Sequence, residues 1–310
     1  MSSPGRPKGG EFRSAKHGGF LMSIARVVGA EALDTLAPDD PAAIRSRRDL
    51  RRIHRVMGTQ AIVTKAMREI LAALPVGATL RILELGAGDG QLMLGVGRAL
   101  AHPLAHPLAH PLAPPLATHR AHPPTLDSAP RGVHPPAVPR PGVELTLLDR
   151  QRLVAPATIA GYAELGWAAV EAVTDVADWA RAVNEPLQPP GATPHWDVIV
   201  ANLFMHHFEG AQLARLLTAL AQRCEHFLAC EPQRAWLALA GSHLVGAIGA
   251  NAVTRQDAVL SVHAGFRADE LTALWPGRAA DWTLREYSAG LFSHCFRAER
   301  MRAPRTAPAP

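Results

Sequence analysis

Residues 80–94 read LRILELGAGDGQLML. An apolar run reaches Glu84 and Leu85, the chain turns through Gly86, Gly88 and Gly90, and a second apolar run follows. This is the pattern of a buried strand that passes through a bare turn into a helix. A turn without side chains lets a ligand approach the backbone closely, and the helix that follows offers unpaired N–H groups to a polar or anionic group. The dinucleotide-binding fingerprint G-x-G-x-x-G would place its third glycine at position 91, which is Gln91. Here the glycines fall at alternate positions, with an acidic residue two places before the first.

The chain around this turn has 310 residues, 48% of them hydrophobic, enough for one large globular domain with appendages. Strand candidates at 79–85, 143–149, 169–174, 196–201 and 226–230 alternate with helical segments such as 210–223. Two more, 282–288 and 291–298, are separated by a short Gly-containing turn. That alternation predicts an α/β fold with a parallel sheet wrapped on both faces and an antiparallel hairpin at one edge. Ahead of the first strand, Ile53, Met57, Ile62, Met67, Ile70 and Leu71 recur at roughly helical intervals within 45–74, and Gly58 is a break or close-approach point.

Residues 101–142 hold 12 of the 27 prolines and six of the 15 histidines, beginning with AHPL repeats. Proline at this density removes backbone donors and blocks helix and sheet, so an extended, largely disordered insertion is expected. In a helix of three residues per turn, a four-residue spacing rotates successive imidazoles off one face, which argues against a metal-binding array. Residues 1–40 are expected to be a mobile tail with a short amphipathic piece near 20–36, and 299–310 a disordered tail. The folded domain is thus expected to comprise 41–100 and 143–298.

No apolar run approaches the roughly 20 residues that span a bilayer, and the stretch from Phe20 to Gly29 is broken by Arg26, so a cytoplasmic protein is expected. Cys224, Cys230 and Cys295 have no metal-binding spacing and read as buried reduced thiols; no metal site is expected. The net charge is +5, yet residues 143–296 carry 10 basic and 16 acidic residues against 15 and 9 in residues 1–100. Basicity that avoids the long folded segment is the wrong distribution for a nucleic-acid-binding face. The densest cluster puts Arg48, Arg51, Arg52 and Arg55 on one helix face, to be read as a solvated surface or a contact for an anionic group.

The segment Glu84-Leu85-Gly86-Ala87-Gly88-Asp89-Gly90 resembles the first motif of the class I S-adenosylmethionine-dependent methyltransferases, an acidic residue, any residue, then G-x-G-x-G. The resemblance extends over residues 50–100 and 143–298. It implies a Rossmann-like, doubly wound, seven-stranded, mostly parallel sheet with a C-terminal antiparallel hairpin. It also implies S-adenosyl-L-methionine as cofactor, with Glu84, Gly86, Ala87, Gly88 and Gly90 around it. The family's second motif is a carboxylate that ends strand two and accepts hydrogen bonds from the ribose diol; Asp149, closing VELTLLD, stands there. Asp149 comes 59 residues after Gly90, where roughly 20 is usual in such folds, and the proline-rich insertion accounts for the excess. The third motif supplies an acidic group near the adenine amine, matched by Asp175 with Val176 beside it, and Asp178 competes for the role. A helix cap at Asp149 and a turn at Asp175 are the plainer readings of the same residues.

The fourth element is HWDVIVANLFMHHF. Ligands of open parallel sheets lie beyond the carboxyl ends of the strands, so Asn202 to Phe208 should border the transferred methyl. A phenol with a pKa near 10 is a poor nucleophile at neutral pH, so His206 or His207 is the candidate general base. The plainer reading gives one histidine a backbone carbonyl and the other to solvent. The reading favoured is methyl transfer to a small-molecule acceptor, on oxygen of an aromatic, quinone or polyketide-like ring. An RNA or protein methyltransferase and a non-catalytic cofactor-binding protein are the alternatives.

Overall fold

The computed structural model describes residues 24–72, 78–101, 142–182, 195–277 and 281–301. Asp40 starts the first helix, α1 (Pro41–Met57), by accepting the N–H groups of Ala42 at 2.7 Å and Ala43 at 3.4 Å, with Pro41 at the first helical position. α1 ends at Gly58, whose φ of 69° takes the left-handed conformation that closes a helix, and α2 (Thr59–Ala72) begins at once. The helical run expected over 45–74 is therefore two helices, broken at its glycine.

The remaining elements alternate as the apolar runs require. They are β1 (Leu80–Leu85), α3 (Gln91–Ala101), β2 (Val143–Asp149), α4 (Pro156–Glu164), β3 (Trp167–Val173), α5 (Val176–Arg181) and β4 (Trp196–Asn202). Then follow α6 (Gly210–Arg223), β5 (Cys224–Pro232), α7 (Trp236–Leu244), α8 (Ala252–Ala264), α9 (Glu270–Leu274), β6 (Trp282–Ala289) and β7 (Ser293–Arg300). The seven strands form one sheet in the order β3-β2-β1-β4-β5-β7-β6. The first five run parallel, and β7 lies antiparallel between β5 and β6. The sheet is the doubly wound, mostly parallel one expected, with its antiparallel hairpin at the edge. The last strand sits two residues later than the expected 291–298, because Glu299 pairs with His226.

Successive strand residues point to opposite faces, and the core divides accordingly. Leu83, Leu85, Ile199, Ala201, Phe227 and Phe296 pack with α6 and with Trp275 and Trp282 on one face. Leu80, Ile82, Val198, Val200, Leu145 and Leu147 pack with α2, α3 and α4 on the other. The three cysteines are buried and free. Among the described residues no helix is long and apolar enough to cross a membrane.

Of the tail expected over 1–40, residues 1–23 lie outside the described residues, and the expectation is corrected for 24–40. Residues 24–40 form a strap that docks beside α8 and the loop after β4. Arg26 donates to the carbonyl oxygens of Ala264 and Phe208, at 2.8 and 2.9 Å. Asp257 in α8 accepts the N–H groups of Ala32 and Leu33 at 2.8 and 3.0 Å. Such bonds are set by partners more than 180 residues away, which no local pattern encodes. The insertion expected at 101–142 falls, apart from its two end residues, outside the described residues, as does the tail beyond Met301.

Candidate active site

The strand order reverses between β1 and β4, so a crevice opens beyond their carboxyl ends. It contains a cavity of about 680 Å³. Its floor is the glycine turn. Gly86 has φ 63°, and a Cβ there would lie 2.3 Å from the Phe204 ring, so conformation and space both demand glycine. The turn is pinned to β2: the Ala87 N–H reaches the Leu148 carbonyl at 3.0 Å, and the Gly88 N–H reaches Asp149 Oδ2 at 2.9 Å. Asp149 Oδ1 accepts the Gln151 N–H at 2.9 Å. Its carboxylate is thereby held between the turn and the cavity.

Of the residues expected around a cofactor, Glu84, Gly86, Ala87, Gly88, Asp149, Asp175, Val176 and Asn202 all border this cavity. Gly90 stands behind it and takes the Tyr162 hydroxyl on its carbonyl at 2.6 Å. Asp175 also caps α5 through the Ala177 N–H at 2.7 Å, so its turn and its place at the cavity coexist. Glu84 is only 2% exposed, and burial, with Asp89 and Asp149 nearby, pushes its carboxyl well above the ordinary range. Glu84 Oε2, Asn202 Oδ1 and His54 Nε2 are buried without a partner among the described residues, and all three residues line the cavity. Burial also lowers the His54 imidazole to about 4. Buried polar atoms left unmatched are costly, so a convergent set of them marks a site built for a polar ligand.

The arginine cluster splits between the two readings it allowed. Arg51 pairs with Asp89 of the glycine turn at 2.6 Å, and Arg47, Arg51 and Arg55 line the cavity, while Arg52 pairs with Asp49.

His206 and His207 stand on a short 3-10 turn (Met205–His207) after β4. Leu203 enters that turn at φ 48°, a conformation costly for a non-glycine residue. Glu231, fully buried at the end of β5, holds the turn by accepting the N–H groups of Phe204 and Met205 at 3.1 and 3.0 Å. Its other oxygen lies 2.8 Å from His206 Nδ1, and Glu31 of the strap lies 3.3 Å from His206 Nε2. Both ring nitrogens of His206 are thus committed. Burial alone would lower this imidazole, but the two carboxylates outweigh it and raise it to about 9. His207 Nδ1 lies 3.4 Å from Asp34 Oδ2. Neither histidine takes the plainer place allowed for it, a backbone carbonyl partner or open solvent. Glu31, Asp34 and Glu231 were not among the expected site residues: two lie on the short amphipathic piece near 20–36, and the third closes an apolar strand.

A second cavity, about 310 Å³ and walled by Ile53, Val56 and Met57 of α1 with residues of α7 and α8, adjoins the first. The two share Glu31, Leu33, Leu50, Leu203 and Ser261. Asp49 fastens α1 over α8 by accepting the Asn251 N–H at 2.9 Å.

No protein-family model matches the chain, and no curated protein matches it in sequence. Solved structures do match in fold. The plantazolicin methyltransferase BpumL in complex with SAH is similar with a TM-score of 0.50 and 13% identity, over 85% of this chain and 92% of that one. An O-methyltransferase family protein from Burkholderia thailandensis has a TM-score of 0.43 and 15% identity, over 83% and 61%. The magnesium protoporphyrin IX methyltransferase ChlM from Synechocystis PCC 6803 with bound SAH has a TM-score of 0.43 and 12% identity, over 85% and 100%. With five parallel strands, a reversal between β1 and β4 and a C-terminal antiparallel hairpin, this chain has the Rossmann-like fold of the class I S-adenosylmethionine-dependent methyltransferases.

Proposed function

We propose that the chain transfers a methyl group from S-adenosyl-L-methionine to a small, largely apolar acceptor, on an oxygen of an aromatic, quinone or polyketide-like ring. The observation that carries this reading is the pair of joined cavities, one glycine-floored and of mixed polarity, the other apolar. In the first, Asp149 accepts the ribose hydroxyls, and Asp175 with Val176 borders the adenine. The bare backbone at Gly86, Ala87 and Gly88 lets the cofactor lie close, with Gly90 shaping the turn behind. The unpartnered atoms of Glu84, Asn202 and His54 offer hydrogen bonds to the cofactor's polar groups. When bound, the cofactor supplies an electrophilic methyl on a positively charged sulfur.

The chain's own task is then to aim an acceptor at that methyl and to remove water. Holding two reactants in line near 3 Å converts a bimolecular step into an effectively unimolecular one, a large part of the acceleration. The apolar cavity receives the body of the acceptor. Its hydroxyl lies at the shared edge beside His207, the general base, whose imidazole is lowered by burial and so stays neutral, while His206 is held by Glu231 and Glu31. An apolar acceptor of this size fits the second cavity better than an RNA or a protein does.

Calorimetry with S-adenosylmethionine, S-adenosylhomocysteine and NAD tests the cofactor, and labelled methyl transfer into a metabolite library tests the acceptor. Binding of NAD without either sulfur nucleoside would overturn the reading.

A further inference from the structure

We propose that Glu31, His206 and His207 bind one divalent transition-metal ion at the edge shared by the two cavities. One ligand atom from each residue lies within 4.8 Å of the others. Metal–nitrogen and metal–oxygen bonds of about 2.0–2.2 Å set neighbouring ligand atoms roughly 3–4 Å apart, so closing this cluster on an ion takes only small side-chain movements.

The surroundings are those of a ligand set. A histidine that binds a metal through one nitrogen typically donates the other N–H to a carboxylate, which fixes the tautomer and the ring plane. His206 has this arrangement, with Nδ1 2.8 Å from Glu231, and Asp34 stands within ion-pair range of His207 Nδ1 at 3.4 Å. An ion would enter between His206 Nε2 and Glu31 and bind both, with a ring nitrogen of His207 as the third ligand. Glu31 is itself held, by the Ser261 hydroxyl and by the strap. Three carboxylates around two imidazoles give the cluster a negative surplus that a dication offsets. Two imidazoles with one carboxylate favour zinc, manganese or iron over magnesium and calcium, which take all-oxygen sets. Three protein ligands leave coordination positions open towards the cavities.

What the ion does there rests on the proposed methyl transfer. With the ion bound, His207 is a ligand and not the base: the acceptor hydroxyl becomes more acidic on the ion and loses its proton to water. The oxygen's electron pair forms the new O–CH3 bond, the S–CH3 bond breaks, and sulfur keeps that pair as a neutral thioether.

The test uses the full chain stripped with a chelator and titrated with Zn²⁺ and Co²⁺ in the absence of cofactor and acceptor. The visible spectrum of bound Co²⁺ reports its ligands. The wild type should take up one tight equivalent. Glu31→Gln and His207→Gln should each weaken it by about 10-fold or more and change the Co²⁺ spectrum, with circular dichroism confirming that both fold. Should His207→Gln not fold, Glu31→Gln and the wild-type spectrum carry the comparison. Equal affinity and stoichiometry in wild type and variants would assign the metal to the histidines of residues 101–142 and overturn the proposal. Absence of a tight equivalent would leave a proton-linked cluster only and overturn it too. S-adenosylmethionine is titrated in parallel: a protein that binds cofactor but no metal loses the metal site alone, and the converse loses the cofactor reading alone.

Discussion

Asp149 Oδ2 and the Gly88 N–H, 2.9 Å apart, join the end of one strand to the turn after its neighbour. The carboxylate therefore has two tasks, to set the shape of the glycine turn and to face the cavity. Hydrogen bonds to a charged group contribute about 1.5–3 kcal/mol, so Asp149→Ala should weaken S-adenosylmethionine binding by roughly 10- to 100-fold. Titration calorimetry reads this directly, and a dissociation constant unchanged within twofold would remove Asp149 from the site. Asp149 was legible because an apolar run ending in an acid is a local pattern. Glu231 was not: its carboxylate is fully buried, and its value comes from the Phe204 and Met205 N–H groups and the His206 ring, 25 to 27 residues earlier in the chain. The histidines themselves could be read, while the carboxylates that face each ring could not.

At the scale of elements, each apolar run became a strand within a few residues of its expected place, because the central strands β1, β4 and β5 are buried on both faces and need continuous apolar sequence, while the edge strands β3 and β6 alternate. The strap of residues 24–40 had no such signature. Of its apolar side chains only that of Ile24 is buried, and polar contacts hold it: Asp257 under Ala32 and Leu33, Arg26 on Phe208 and Ala264, and Gln151 Nε2 on the Leu36 carbonyl at 3.2 Å. Glu31 reaches His206 only while these hold. Asp257→Asn removes one charged acceptor shared by two N–H groups. Amide exchange at Ala32 and Leu33 should accelerate by about 10-fold or more, the equivalent of roughly 1.4 kcal/mol, while the amides of β1 and β4 keep their protection. Equal acceleration in the sheet would mean that the strap and the core open together.

Over the whole molecule, β6 closes the sheet at its hairpin edge, three strands beyond β4 and the crevice. Glu286 of β6 ties the hairpin to α9, accepting the Leu271 and Thr272 N–H groups at 3.1 and 2.8 Å, with His294 Nε2 at 2.8 Å. Burial alone would raise its carboxyl, but the bonds from His294, Thr272 and Leu271 outweigh it and hold it below the ordinary value. A carboxyl lowered in the folded state contributes stability above its unfolded pKa, near 4.3, and loses it as pH falls through the folded value. Glu286→Gln should thus cost about 1–3 kcal/mol near pH 7 in denaturant unfolding, with the gap to wild type closing below about pH 4. A gap that persists unchanged into acid would deny the carboxylate its role.

Residues 102–141 enter and leave at Ala101, the end of α3, and Gly142, whose carbonyl accepts the Leu80 N–H at 2.8 Å. Gly142 thus adjoins the amino ends of β1 and β2, where Leu80 pairs with Val143. The cofactor cavity lies past Leu85 and Asp149, a strand's length away, about 20 Å at 3.3 Å per residue. A connection at that end can vary widely in length at small entropic cost, since doubling a loop adds only about 0.6 kcal/mol. Replacing residues 102–141 by a short Gly/Ser linker should leave the S-adenosylmethionine dissociation constant within about threefold and the melting temperature nearly unchanged. Calorimetry on both chains checks it, and a tenfold loss of affinity would show that the segment folds back across the sheet to reach the cavity.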